Sequence, residues 1–140
     1  MATLSLDDAV RIGAAARDRA GAIGIGVTIT IVDAGGSIRI QQRMDAARFG
    51  TLNVSANKAF TATAFGAPTE VLAGLVQPGQ PLYGFAEAAG GRIVTFGGGL
   101  PLVRDGEIVG AIGISGGSVD QDQEIAAAGA AAADLSFVAA

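Results

Sequence analysis

The chain contains one lysine, Lys58, and neither histidine nor cysteine. Catalytic triads, zinc sites of imidazole or thiolate, and disulfides all require side chains that are missing, and carboxylates alone favour harder ions. One amine is left for nucleophilic or base chemistry. Lys58 lies in ANKAFTATAF on a polar stripe with Ser55 and Thr61. If a partly apolar pocket desolvates it, its pKa falls and it becomes a general base or a Schiff-base former; on an open surface it is only a solvated charge.

Other residues extend that chemistry to anion binding. Arg43, at the start of Arg43-Met44-Asp45, offers a guanidinium that can grip a carboxylate in bidentate fashion; the alternative is an internal Arg–Asp pair at a strand end. Gly97, Gly98 and Gly99 and the pair Gly116-Gly117 fall at one end of a strand hairpin, where successive N–H groups can cradle an anion or simply make tight turns. Ser115 ends a strand face of small residues with Val109, Ala111 and Gly113, which a helix, a neighbouring subunit or a flat ligand can approach closely. Tyr83 and Phe85 can line a pocket or fill a subunit interface. Asp33 serves its turn, and Asp122 sits in the first turn of a helix, where the macrodipole already favours an acid. No phosphate-binding P-loop and no strand-led G-x-G-x-x-G occurs.

These residues need elements to position them. Ser5-Leu6-Asp7-Asp8 reads as a helix N-cap, and the apolar spacing after it carries a helix to about Gly21. VTITIVD, residues 27–33, alternates as a half-buried strand and pairs through Ala34-Gly35-Gly36 with SIRIQQR. Helical periodicity spans Phe49 to Phe65, with Leu52, Ala56, Ala59, Phe60 and Thr63 on one stripe and Thr51, Ser55, Lys58 and Thr61 on another. A short helix follows in PTEVLAGLV, then the loop-like PGQPLYGFAEAAGG. Three strands come next, RIVTF (92–96), LPLVR (100–104) and EIVGAIGIS (107–115). In the last of these Ile108, Ile112 and Ile114 share a face, and Asp105-Gly106 specifies a type I′ turn before it. Ser118 to Gln121 resembles a capping box opening a final Ala-rich helix. The order predicts an α+β domain over residues 1–140, with a five-stranded antiparallel sheet and helices packed on it.

Composition bounds the partners. A net charge of −4 with scattered arginines argues against nucleic acid and anionic membranes. The opening MATLSLDDAV lacks the basic-then-apolar pattern of a signal peptide, and no apolar run is long enough to span a bilayer, so a cytoplasmic location is expected. With 50% hydrophobic residues, a monomer of this size would expose much apolar surface, which favours self-association.

Taken in series, VDAGG, QQRMDAARFG, ANKAFTATAFGAPT, VQPGQPLYG, GGGLPLVRDGEIVGAIGISGG and DQDQEIA resemble the GlcG/HbpS family, the haem-degrading domain that also forms the C-terminal part of PduO-type proteins. The resemblance spans nearly the whole chain. It implies a profilin-like fold, homo-oligomers from dimers to octamers, and haem binding in some members, with catabolic roles on small carboxylic acids in others. On that basis the expected ligand is an anionic small molecule or haem, held in a pocket between the Lys58 helix and the glycine loops, with Tyr83, Phe85, Gly97–Gly99, Ser115 and Thr61 around it. Two other readings stand beside it. One is a lyase, hydratase or hydrolase with Lys58 as base and Arg43 holding the substrate carboxylate, and the other is a purely structural assembly protein. Histidine ligation of iron, used by some relatives, has no counterpart here, which leaves Lys58, Tyr83, Met44 or Thr61 as candidate ligands.

Overall fold

The computed structural model describes residues 2–133 and 135–137. Helix α1 (Leu6–Ile23) starts from a reciprocal cap: the Ser5 hydroxyl accepts the Asp8 N–H at 3.0 Å and the Asp8 carboxylate accepts the Ser5 N–H at 3.1 Å. Strands β1 (Thr28–Asp33) and β2 (Ile38–Arg43) form an antiparallel hairpin. In its turn the Asp33 carboxylate accepts the N–H groups of Gly35 and Ser37, both at 3.0 Å, the turn role its sequence position implies. Helices α2 (Thr51–Phe65) and α3 (Val71–Leu75) follow, then kinked 3-10 turns over Phe85–Gly91. Strands β3 (Gly99–Arg104) and β4 (Glu107–Ser115) are joined through Asp105 and Gly106 at φ 52° and 79°, the positive values a type I′ turn requires. The Ser118–Gln121 capping box opens α4 (Val119–Ala131), and a two-residue strand β5 (Ser136–Phe137) completes the chain order.

All strand pairs are antiparallel, in the order β2-β1-β4-β3-β5. The α+β class follows from the sequence, but the expected five full strands are four, with β5 only a short edge. The residues that depart are 92–96, which form no strand. Thr61 Oγ1 accepts the Val94 N–H at 3.0 Å and lies 3.3 Å from the Arg92 carbonyl, with the Asn57 carbonyl at 2.7 Å the nearer acceptor for its proton. The backbone of this segment therefore bonds to α2 rather than to the sheet.

Helices α1 and α4 cover one face of the sheet, packing Ile12, Ala16, Ile125 and Ala126 on Ile29, Ile31, Ile112 and Ile114. Helix α2 covers the other, so β1 is buried on both sides rather than half-buried. It is the polar stripe of α2 that meets the sheet. Thr28 shares a hydrogen bond with Thr51 at 2.7 Å, and Ser55 donates to the Gly113 carbonyl at 2.7 Å while sharing a hydrogen bond with the Thr30 hydroxyl at 2.8 Å. A Cβ on Gly113 would lie 2.1 Å from the Ser55 carbonyl oxygen, so what comes close to this glycine is the α2 backbone.

A β-bulge corrects one face assignment. The β3–β4 register passes from Leu102 opposite Gly110 to Val103 opposite Ile108, leaving Val109 as the extra residue. Val109 joins the cluster of Ile112 and Ile114, while Ile108 is turned toward Gly66 at the end of α2.

Candidate functional site

Lys58 extends from the middle of α2 to the end of β4 and is 1% exposed. Its ammonium donates to the Ile114 carbonyl at 2.7 Å and to Asp122 Oδ2 at 3.1 Å. Ile114 itself donates its N–H to the Gly98 carbonyl at 2.9 Å. In an antiparallel ladder a residue's N–H and C=O face the same neighbour. The amine thus takes the place that the β3–β4 register, carried one residue further, would give to the Gly98 N–H. Asp122, in the first turn of α4, accepts the Gly117 N–H at 2.9 Å through its other oxygen. Lys58 and Asp122 therefore join the α2 layer to the α4 layer past the end of β4.

Burial pulls the Lys58 amine below its ordinary value, opposed by the attraction of Asp122. Burial likewise pushes the Asp122 carboxyl up, opposed by the Lys58 charge and by the N–H groups of Gly117 and Gly116. Both shifts favour the neutral forms, as expected for charges removed from water.

The glycine turns do meet the amine. A Cβ on Gly98, at φ 120°, would lie 2.6 Å from Lys58 Nζ, and one on Gly99 would lie 2.6 Å from the Lys58 carbonyl oxygen. A Cβ on Gly97 would lie 2.0 Å from Gln123 Oε1, a buried oxygen without a hydrogen-bond partner. The space expected to hold an anionic guest is thus occupied by protein, and the anion beside the ammonium is Asp122. Phe96 stands over this centre, its ring centroid 5.1 Å from Nζ.

The other expected site residues divide. Thr61 is buried beside Lys58, but its hydroxyl is used by Asn57, Arg92 and Val94. Ser115 is buried opposite Thr28 at the end of β4. Tyr83 is 68% exposed, and Phe85 packs edge-on against Phe65 at 5.1 Å between centroids, so neither is among the groups contacting the amine. Arg43 is exposed and donates to the Ala47 carbonyl at 3.4 Å, with no ion pair to Asp45 among the described residues.

Arg43 belongs instead to an open cleft of about 450 Å³, lined by Arg17, Gln42, Arg43, Met44 and Asp45. Arg17 comes from α1 and the rest from the end of β2 and the residues after it. Gln42 Oε1 is buried there without a hydrogen-bond partner. Two guanidiniums against the one carboxylate of Asp45 leave the cleft net positive, and the half-buried Met44 thioether gives it an apolar wall, a combination that suits an anionic guest with an apolar body. Sequence reasoning reached Arg43 and Met44 but missed Arg17 and Gln42. It also did not link Asp122 to Lys58.

Comparison with known proteins gives the family. The family model for haem degrading protein HbpS-like matches residues 4–131. The chain belongs to the HbpS-like family. Within it, the chain is 42% identical over 132 residues to the corrinoid adenosyltransferase PduO of Salmonella typhimurium, covering 94% of this chain but 39% of that protein. The PduOC:heme complex superposes with a TM-score of 0.95 at 40% identity, covering 99% of this chain and 100% of the other. A double mutant of Streptomyces reticuli HbpS superposes at 0.84 with 30% identity, covering 94% of this chain and 87% of the other. No helix among the described residues is long and apolar enough to cross a membrane.

Proposed function

We propose that this HbpS-like chain binds haem, or a flat anionic molecule like it, in the cleft at the end of β2. The observation that carries the reading is the meeting of Arg17, Arg43 and Met44 at one opening. The residues fit the group: guanidiniums pair with carboxylates such as propionates, and a methionine thioether is an established axial ligand for haem iron. Among the described residues no cluster of three or more acidic side chains suits a bare metal ion. Bound haem would supply a redox-active iron, and the chain's contribution is to hold and orient it. The family's haem-bound relative PduOC supports the same ligand. The cleft is preferred here to the space between α2 and the glycine loops because Asp122 already stands beside the Lys58 amine.

The protein does this as a homo-oligomer. With its polar stripe turned to the sheet, α2 leaves Phe65 half-exposed, and Phe49 and Tyr83 also stand out in solvent. A subunit contact would cover these side chains. Titration with hemin tests the function. A shifted Soret band saturating at a fixed stoichiometry is expected, and a featureless titration would discard it. Light scattering tests the assembly, which a monomer at micromolar concentration would contradict.

A further inference from the structure

The Lys58–Asp122 pair takes no part in the cleft. Breaking a buried ion pair is costly, yet replacing one with packed apolar side chains is often neutral or stabilising, so its presence is weak evidence of a purely structural role. What covers this pair is also unusual. Lys58 is 1% exposed, but the ring lying 5.1 Å from its nitrogen belongs to Phe96, which is 46% exposed. The ring in contact with the amine thus has its other side in solvent. Phe96 ends a stretch, 92–96, that forms no strand, and it is followed by Gly97, Gly98 and Gly99. Swinging its ring aside gives up the ring–ammonium contact but neither of the two hydrogen bonds that hold the Lys58 nitrogen in place.

We propose that Lys58 and Asp122 are an amine–carboxyl dyad that condenses with small neutral aldehydes, with Phe96 as the gate above it. Asp122 takes one proton from the ammonium, leaving an amine and a carboxylic acid. The nitrogen lone pair attacks the carbonyl carbon; the C–N bond forms as the C=O π pair moves to oxygen, and a proton passes from nitrogen to that oxygen. Asp122 then returns its proton to the carbinolamine hydroxyl, which leaves as water while the nitrogen lone pair forms C=N. The products are a protonated imine, one water and a carboxylate at Asp122, with no oxidant or reductant required. The directions in which burial moves the two groups favour the first proton transfer. The class of carbonyl follows from charge. Asp122 touches the amine, whereas no arginine is among the groups contacting it, so a 2-oxo acid would bring its carboxylate against Asp122. A small aldehyde meets no such repulsion.

The experiment is reductive alkylation of the folded protein with acetaldehyde and cyanoborohydride, located by peptide mass. Because Lys58 is the only lysine, its adduct is read at one position against the chain's α-amino group. The expected result is ethylation of Lys58 that saturates with aldehyde and speeds up about tenfold in Phe96→Ala, with the denaturation midpoint unmoved, which separates gating from global opening. Asp122→Asn should slow it. Alkylation of the α-amino group alone, in both the parent and Phe96→Ala, would overturn the proposal. Equal Lys58 rates in the parent and in Phe96→Ala would overturn the gate, and equal rates in a folded Asp122→Asn would overturn the dyad. Should Asp122→Asn fail to fold, the Phe96→Ala arm still decides. Hemin binding is read separately, so failure here leaves the cleft reading standing and failure there leaves this one standing.

Discussion

The two faces of the sheet are built from different materials. Under α1 and α4 lies a dry layer of isoleucine and alanine, with Ile12, Ile29, Ile31, Ile112, Ile114 and Ile125 fully buried. Under α2 lies a layer in which Thr28, Thr30, Ser55, Lys58 and Thr61 are as inaccessible as those isoleucines. The first face needs only shape and area. The second holds only because each polar group has a stated partner, and that makes it the face where single changes should hurt most and where paired changes can repair them.

The largest contrast should come from the ion pair. Lys58→Met strands the Asp122 charge and should cost about 3–5 kcal/mol in urea denaturation, and adding Asp122→Leu should recover most of it. On the apolar face, Ile112→Ala should cost about 2–5 kcal/mol through a cavity, with no charged partner whose removal could compensate. A Lys58→Met protein as stable as its parent would erase the distinction between the faces.

Backbone contact gives a smaller effect. Gly113→Ala pushes a methyl to 2.1 Å from the Ser55 carbonyl oxygen, so α2 must shift away, at about 1–3 kcal/mol. Gly74, which has open space around it, should accept alanine with little change in the same denaturation assay.

The smallest effect should be one of pH, at the start of α1. Burial alone would raise the Asp8 pKa, but hydrogen bonds from Ser5 and Arg104 outweigh it and hold the carboxyl below its ordinary value. The unfolded chain then binds more protons than the folded one, so this contribution is complete above the ordinary value of 3.8 and fades as pH falls through the lower folded value. Denaturation curves recorded across the acid range should show a shallower acid limb in Asp8→Asn than in the parent.

The same comparison explains which features were legible in the sequence. The capping boxes at Ser5 and Ser118 and the Asp105-Gly106 turn are set by residues within a few positions of one another, and they form as read. The apolar face was equally readable, since Ile29, Ile31, Ile112 and Ile114 announce it by alternation. The polar face was not. Apolar periodicity cannot show that the Ser55–Lys58–Thr61 stripe turns inward, because what reverses it is the matching polar stripe of β1. Residues 92–96 carry strand-like apolar content, and Ile93 and Val94 are indeed buried, yet a hydroxyl 33 positions away from Val94 claims its amide. Lys58 and Asp122 are 64 positions apart, and no local pattern joins them. The cleft was half legible, because Arg43 and Met44 are adjacent in sequence while Arg17 arrives only through the packing of α1 beside β2.

The most direct test separates the open cleft from the buried pair. Hemin affinity should be compared in Arg17→Ala/Arg43→Ala and in Lys58→Met/Asp122→Leu, each shown to be folded. The account predicts that the first weakens binding by about tenfold or more, as expected for lost charge-assisted bonds, and that the second leaves it near the parent value. Full affinity without the two guanidiniums, together with its loss when the buried pair is replaced, would contradict it.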